Sequence, residues 1–341
     1  MSQEKLIDII IPAYKAQKTI VRALSSIACQ TIIDKISVTI VNDADGIGYE
    51  EYVNDFSKYF KIKEIVMPNN GGPGVARQYG MDNTSNEFLT FMDADDAYNG
   101  PFVFEILLET MNKYPKCNMV VPSFYEHQSI PNFNLSIHER SLVWVFGKLY
   151  RKSYINDKNI RFNETRANED VGFNTLFDLC LPGQDEQEVV FLPEPMYSWI
   201  ENQNSITRVD NFSYIYAKNL PGFVENEIYA IKGAEERTPE NKNKINEKKI
   251  EVMVNLYYIY CGAFAFNEKN KKGNIFACVR FYNEIFKDYE SEIDKEFLNK
   301  RMTHHSNLRL NMLKDLMPEL TFMQWFNAIR RAPYDPRMQI D

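Results

Sequence analysis

The chain has 341 residues, 44% of them apolar and 25% charged, with a formal net charge of -8. Such a balance describes a globular protein of about two domains with enough apolar side chain for a real core, and the acidic surplus argues against a general polyanion binder. No run of about 18 apolar residues occurs, and Glu4 and Lys5 lead straight into an apolar stretch, so no integral membrane segment or signal peptide is expected and the expected location is the cytoplasm.

The five cysteines, Cys29, Cys117, Cys180, Cys261 and Cys278, are scattered without zinc-ligand spacing, which predicts reduced, mostly buried thiols. Residues 211–341 hold 20 Lys and Arg against 18 Asp and Glu, leaving 19 against 29 in residues 1–210. The acidic surplus therefore belongs to the first part of the chain.

In chain order, residues 6–11 read as a strand ended by Pro12, residues 17–29 as a helix with Ile20, Val21, Leu24, Ile27 and Ala28 at helical spacing, and residues 36–41 as a second strand. A helix over 49–60, a strand over 62–67 and a helix starting at Pro73, a residue suited to a first turn, come next. The apolar run from Phe88 then ends in Asp93, Asp95 and Asp96. Strands alternating with helices of this length predict an α/β fold with a mostly parallel sheet, whose carboxyl edge gathers Pro12, Ala13, Tyr14, Asp43 and the aspartate cluster.

Two carboxylates one residue apart on an extended chain suit a hard divalent cation, Mn2+ or Mg2+, with substrate phosphates completing the shell. An acidic turn or helix cap would use the same residues. Likewise Asp43 could cap a turn, Arg77 could form an ion pair on a helix, and Glu169 and Asp170 could open a helix, where acids favour the macrodipole.

Several motifs in order resemble family 2 glycosyltransferases. Residues 9–14 resemble the family's first strand and nucleotide-contacting loop, Val41, Asn42 and Asp43 its second strand end, and Asn70, Gly72, Ala76, Arg77 and Gly80 its Asn-x-Gly-x-x-x-Ala-Arg-x-x-Gly segment, with Gln78 where Asn is usual. Asp93, Ala94, Asp95 and Asp96 resemble its metal motif, and residues 146–153 with 160–162 resemble a segment of members that decorate surface glycans. Asn168, Glu169 and Asp170 resemble the acceptor-side acidic pair, and residues 197–207 the closing segment, with Ile200 and Asn202 where basic residues or His often hold the diphosphate.

The resemblance implies a GT-A, Rossmann-like catalytic domain over residues 1–210, with a donor half to about 100 and an acceptor half beyond; residues 211–341 carry no such resemblance and form a separate C-terminal region, helical by its apolar spacing. It implies Asp170, with Glu169, as the catalytic carboxylates. Pro12, Ala13, Tyr14, Asp43, Asn70, Gly72, Arg77, Asp93 and Ala94 would bind the nucleotide-sugar, and Asp95 with Asp93 the metal. Lys148 and Trp199 are candidate acceptor or sugar contacts, each with a duller role as a snorkelling or packing side chain.

Beyond residue 210, helical spacing marks 247–266, 275–286 and 297–317, and the lysine-rich stretch 241–249 reads as a solvated loop leading into a helix. This helical region is expected to shape the acceptor site or to mediate homo-oligomerisation. The adjacent His304 and His305 point in different directions and do not suggest a joint metal site. The whole reads as a metal-dependent, inverting glycosyltransferase that moves a sugar from a nucleotide-sugar, in first place a UDP-sugar, to a hydroxyl acceptor. A surface-glycan precursor is the default acceptor and a hydroxymethylated base of DNA the alternative; a non-catalytic nucleotide-sugar-binding protein is the reading from another class.

Overall fold

The computed structural model describes residues 6–128, 134–165, 167–182, 187–202, 219–265, 271–292, 296, 300 and 320–336. Strands and helices alternate at the start: β1 (Ile7–Ala13), α1 (Ile20–Ala28), β2 (Ile36–Asn42), α2 (Glu50–Phe56), β3 (Lys61–Val66), α3 (Pro73–Asp82) and β4 (Phe88–Phe91). The strands lie in the order β3, β2, β1, β4, all parallel. Parallel neighbours need crossovers, which the three helices supply. Ile7, Ile9, Ile10 and Ile11 are all fully buried, the continuous apolar run of a strand covered on both faces. Helix α1 buries Ile20, Ala23, Leu24 and Ile27, and each large side chain so enclosed contributes about 1.5–3 kcal/mol.

Pro12 does not end β1, contrary to expectation. The strand continues to Ala13, with Pro12 opposite Val41 of β2. Ile10 O accepts from Met92 N on the β4 side and Ala13 O from Asp43 N on the β2 side, so the backbone at Pro12 faces β4, whose pairing with β1 has already stopped at Phe91. The missing N–H costs no ladder bond there.

The sheet is completed by β5 (Ala97–Tyr98), β6 (Met119–Gln128), β7 (Asn134–His138), β8 (Leu149–Arg151) and β9 (Val189–Ile200), with α4 (Val103–Lys113), α5 (Lys152–Asp157) and α6 (Glu169–Cys180) among them. From β4 the order runs β8, β6, β9, β5, with β8 and β5 antiparallel to their neighbours, β9 parallel to β6, and β7 paired to β6. Strands β1, β2 and β4 run the same way, so they deliver Tyr14, Asp43 and Asp93 to one edge.

Two compact units divide the chain: Met1–Phe177 with Leu181–Gln203, and Asp178–Cys180 with Asn204–Asp341. The second is helical, with α7 (Asn219–Arg237), α8 (Lys242–Ala265), α9 (Lys271–Phe281), a π-helical turn at Tyr282–Phe286, α10 (Lys287–Glu292) and α11 (Phe322–Arg331). Residues 241–249 are not a solvated loop. A short 3-10 turn, Pro239–Asn241, runs directly into α8, and its lysines are paired: Lys244 with Asp178 at 3.0 Å, Lys248 with the buried Glu227 at 3.3 Å and Lys249 with Glu235 at 2.6 Å. Local charge density carries no sign of these partners, which come from elsewhere in the chain.

The expected helix over 297–317 and both adjacent histidines fall outside the described residues. Helix α11 was not expected, yet Thr321 and Gln324 form a capping box ahead of the buried Trp325, Phe326 and Ile329. Cys117, Cys180 and Cys278 are buried, and Cys29 is exposed. Among the described residues no helix is long and apolar enough to cross a membrane.

Candidate active site

Asp43, at the end of β2, holds the entry to α3. Its carboxylate accepts from Gly71 N at 2.7 Å, Gly72 N at 2.9 Å and Asn70 Nδ2 at 3.0 Å. Gly72 has φ of 85°, a left-handed conformation that glycine adopts without strain, and this turns the chain into Pro73 at the first helical position. Asp43, Asn70 and Gly72, three expected nucleotide-binding residues, thus form one bonded unit. Asp43→Ala would leave those donors unsatisfied and should cost about 3 kcal/mol of stability, read as a lower midpoint in urea unfolding.

The preceding loop is equally organised. Asp45 accepts from Lys15 N, Gln17 Nε2, Ile47 N, Gly48 N and Tyr49 Oη at 2.9–3.2 Å. Burial alone would raise its pKa, but these donors outweigh it and hold the carboxyl well below the usual range. The result fixes the loop after β1, where Tyr14 is half exposed and Lys15 Nζ lies 5.1 Å from its ring centroid.

Arg77, on α3, joins the two halves of the site. Its Nη2 lies 2.7 Å from Asp93 Oδ1 and its Nη1 lies 2.6 Å from Glu169 Oε1. Burial works against the guanidinium charge, but Asp93, Glu169 and Asp170 outweigh it and raise the pKa. Arg77 is therefore neither a surface ion pair nor free to move.

Of the aspartate cluster, Asp96 is the innermost, fully buried and accepting from Tyr197 Oη at 2.7 Å and Ile200 N at 2.9 Å. Burial first, then the charges of Asp93 and Asp95, push its pKa well up. Asp95 Oδ2 accepts from Asn202 Nδ2 at 2.8 Å; burial and then Asp93 raise this carboxyl too. Asp93 N donates to Tyr197 Oη at 3.1 Å. Of these three carboxylates Asp93 is paired with Arg77 and Asp95 feels the charge of Arg22, yet the raised values of Asp95 and Asp96 still mark a local deficit of positive charge. An all-oxygen set with that deficit fits a divalent cation held by Asp95 and Asp93. Among the described residues no group of three or more His, Cys, Asp or Glu side chains is placed to hold a metal ion by itself.

Asp170 stands in the first turn of α6 and is partly exposed. Burial and then Glu169 push its pKa up to about 7, against the lowering pull of Arg77 and Val171 N. Lys148, buried just before β8, is pushed down to about 7 by burial, with Asp170 partly opposing. A carboxylate that gains and loses its proton near neutrality suits general base work.

Residues 8–175 match the family model for glycosyl transferase family 2. That stretch belongs to the family. It is 27% identical over 226 residues to the uncharacterized glycosyltransferase EpsJ of Bacillus subtilis, covering 60% of this chain and 63% of EpsJ. It is 24% identical over 235 residues to glycosyltransferase GlyA of Streptococcus pneumoniae, covering 62% of this chain and 33% of GlyA. The chain thus spans less than two thirds of either relative.

Among solved structures, S. aureus TarS 1–349 in complex with UDP-GlcNAc superposes with a TM-score of 0.68 at 16% identity, over 91% of this chain and 92% of that one. Mannosyltransferase PcManGT of Pyrobaculum calidifontis, in complex with GDP-Man and Mn2+, has a TM-score of 0.50 at 12% identity, over 92% of this chain and 88% of that one. Identity this low speaks to fold, and the fold is GT-A.

Within this family 2 stretch the edge of the sheet brings together Pro12, Ala13, Tyr14, Asp43, Asn70, Gly72, Arg77, Asp93, Ala94, Asp95 and, through Arg77, Glu169. Sequence reasoning passed over Tyr197 as a site residue; its hydroxyl fixes both Asp93 and Asp96, and its position in the closing segment was the available signal. Asn202 took an unexpected role, bonding Asp95. Trp199 contacts Trp144, a residue with no motif to mark it, at a ring separation of 4.9 Å. Residues 203–207 of the closing segment lie outside the described residues.

Proposed function

We propose that the chain is a metal-dependent, inverting glycosyltransferase that takes a sugar from a UDP-sugar and delivers it to a hydroxyl of a glycan acceptor in the cytoplasm. The observation that carries the reading is the Arg77 bridge: one buried guanidinium binds Asp93 on the donor side and Glu169, the neighbour of Asp170, on the acceptor side. Family membership and the UDP-GlcNAc complex of TarS support the choice of donor.

In this scheme the leaving diphosphate gathers negative charge at the aspartate edge, where a divalent ion held by Asp95 and Asp93 would supply Lewis-acid neutralisation. Asp170 takes the proton of the acceptor hydroxyl as its oxygen bonds to the anomeric carbon. The bond from that carbon to the phosphate oxygen breaks on the opposite face, which inverts the centre. Glu169 acts through Arg77 as a positioning residue, and Asp43 holds the Asn70–Gly72 turn against the nucleotide loop.

The base works only when deprotonated. With Asp170 pushed up to about 7, kcat/KM should rise with pH through that value and level off above it. A profile already flat from pH 5.5 to 8 would remove Asp170 from the role. The donor reading is tested by calorimetric titration of UDP, GDP and CDP with and without Mn2+. Tight binding of one nucleotide, weakened at least tenfold by EDTA and by Asp95→Asn, is expected; binding of none with metal present would overturn it.

A further inference from the structure

We propose that Trp144 and Trp199 form the acceptor subsite, a two-ring platform for the C–H face of a pyranose ring, so that the acceptor is a carbohydrate rather than a nucleic acid. The inference rests on the transferase reading and deepens it.

Trp199 lies on β9 two residues after Tyr197, hence on the same face of the strand. Tyr197 is bonded to Asp96 and Asp93, and Ile200 N donates to Asp96 Oδ1 at 2.9 Å, which ties this stretch of β9 to the metal-side carboxylates. Trp144 is tied to the other side. Its neighbour Val143 O accepts from Asn174 Nδ2 at 2.9 Å, and Tyr150 Oη donates to Asn174 Oδ1 at 2.9 Å. Asn174 is one helical turn beyond Asp170 on α6. The two indoles therefore meet between the leaving-group carboxylates and the base, where the attacking hydroxyl must be held.

The rings are braced from below. Trp144 stacks on Phe146 at 6.0 Å and 11°, Phe146 stacks on Tyr197 at 4.7 Å and 12°, and the indoles themselves tilt by 41°. Gly147, at φ of 71°, lets this column close up, since a Cβ there would stand 3.0 Å from Tyr197 Cβ. Phe146 and Tyr197 are buried, whereas both indoles keep part of their surface open.

A braced, part-open aromatic pair offers negative ring faces to the slightly positive C–H groups of a sugar. The indoles already touch, so a ligand lies across their open faces and not between them. The excess of 29 acidic over 19 basic residues in positions 1–210 further opposes a phosphodiester backbone.

The test uses the full chain with UDP and Mn2+, titrated calorimetrically with lactose, cellobiose, N,N′-diacetylchitobiose and a single-stranded oligonucleotide carrying 5-hydroxymethylcytosine. Saturable binding of at least one disaccharide is expected. Trp144→Ala and Trp199→Ala should weaken it tenfold or more, and Trp144→Phe less than threefold, while the Kd for UDP changes less than twofold. That last value separates a lost platform from a lost fold. Unchanged disaccharide affinity in both alanine variants, no disaccharide binding beside intact UDP binding, or preference for the oligonucleotide would each overturn the platform alone. Absence of UDP binding would overturn the transferase reading and the platform with it.

Discussion

Asp170→Asn should lower kcat by about 10²–10⁴-fold with the fold intact, the range for loss of a general base. The side chains are nearly isosteric, so the substitution removes the proton acceptor and little else. Stability should not fall. Burial pushes the carboxyl up to about 7, which means the folded protein already disfavours its charged form above that pH, and a neutral amide relieves the penalty. The sign follows from linkage: a carboxyl whose folded pKa exceeds its unfolded value costs stability as pH rises through the interval between them. Single-turnover transfer and thermal unfolding on the same sample separate the two effects. A variant within tenfold of the parent rate would assign the base elsewhere.

The second large effect is on stability. Arg77→Met removes the guanidinium that Asp93 and Glu169 share and should destabilise the chain by about 3–5 kcal/mol, the range for breaking a buried pair. Most of the loss belongs to Glu169, whose side chain is 7% exposed; Asp93, at 29%, regains water more easily. Adding Glu169→Gln to Arg77→Met should recover part of the loss, because the stranded charge is then gone. Urea unfolding of the two single variants and the double measures this coupling. A loss below about 1 kcal/mol for Arg77→Met would mean the bridge does not hold the halves together.

The sequence carried the alternating first half well because its signals are local: β1 and α1 announce themselves by apolar spacing, and Pro73 by its place in a first turn. Residues 93–96 were legible as a cluster for the same reason. What local signals could not give was pairing across the chain. Arg77 and Glu169 are 92 positions apart, Asp96 and Tyr197 are 101 apart, and neither partner predicts the other from spacing. The lysines of 241–249 misled for that reason, since a charge run looks solvated until its acids are located. Pro12 misled differently: a proline ends a strand only where its N–H is needed, and the register that excuses it is set by where β4 stops. Trp144 had no motif at all and became visible only through the ring it touches.

A transferase working at the aspartate edge must release the nucleotide of its sugar donor. The direct measurement is release of nucleoside diphosphate from a panel of UDP-, GDP- and CMP-activated sugars with Mn2+, run beside EDTA and Asp95→Ala controls, with CMP followed for the last donor. Release from a UDP-sugar is expected, falling at least a hundredfold both without metal and in Asp95→Ala. Release that persists undiminished in the Asp95→Ala variant and in EDTA would contradict it.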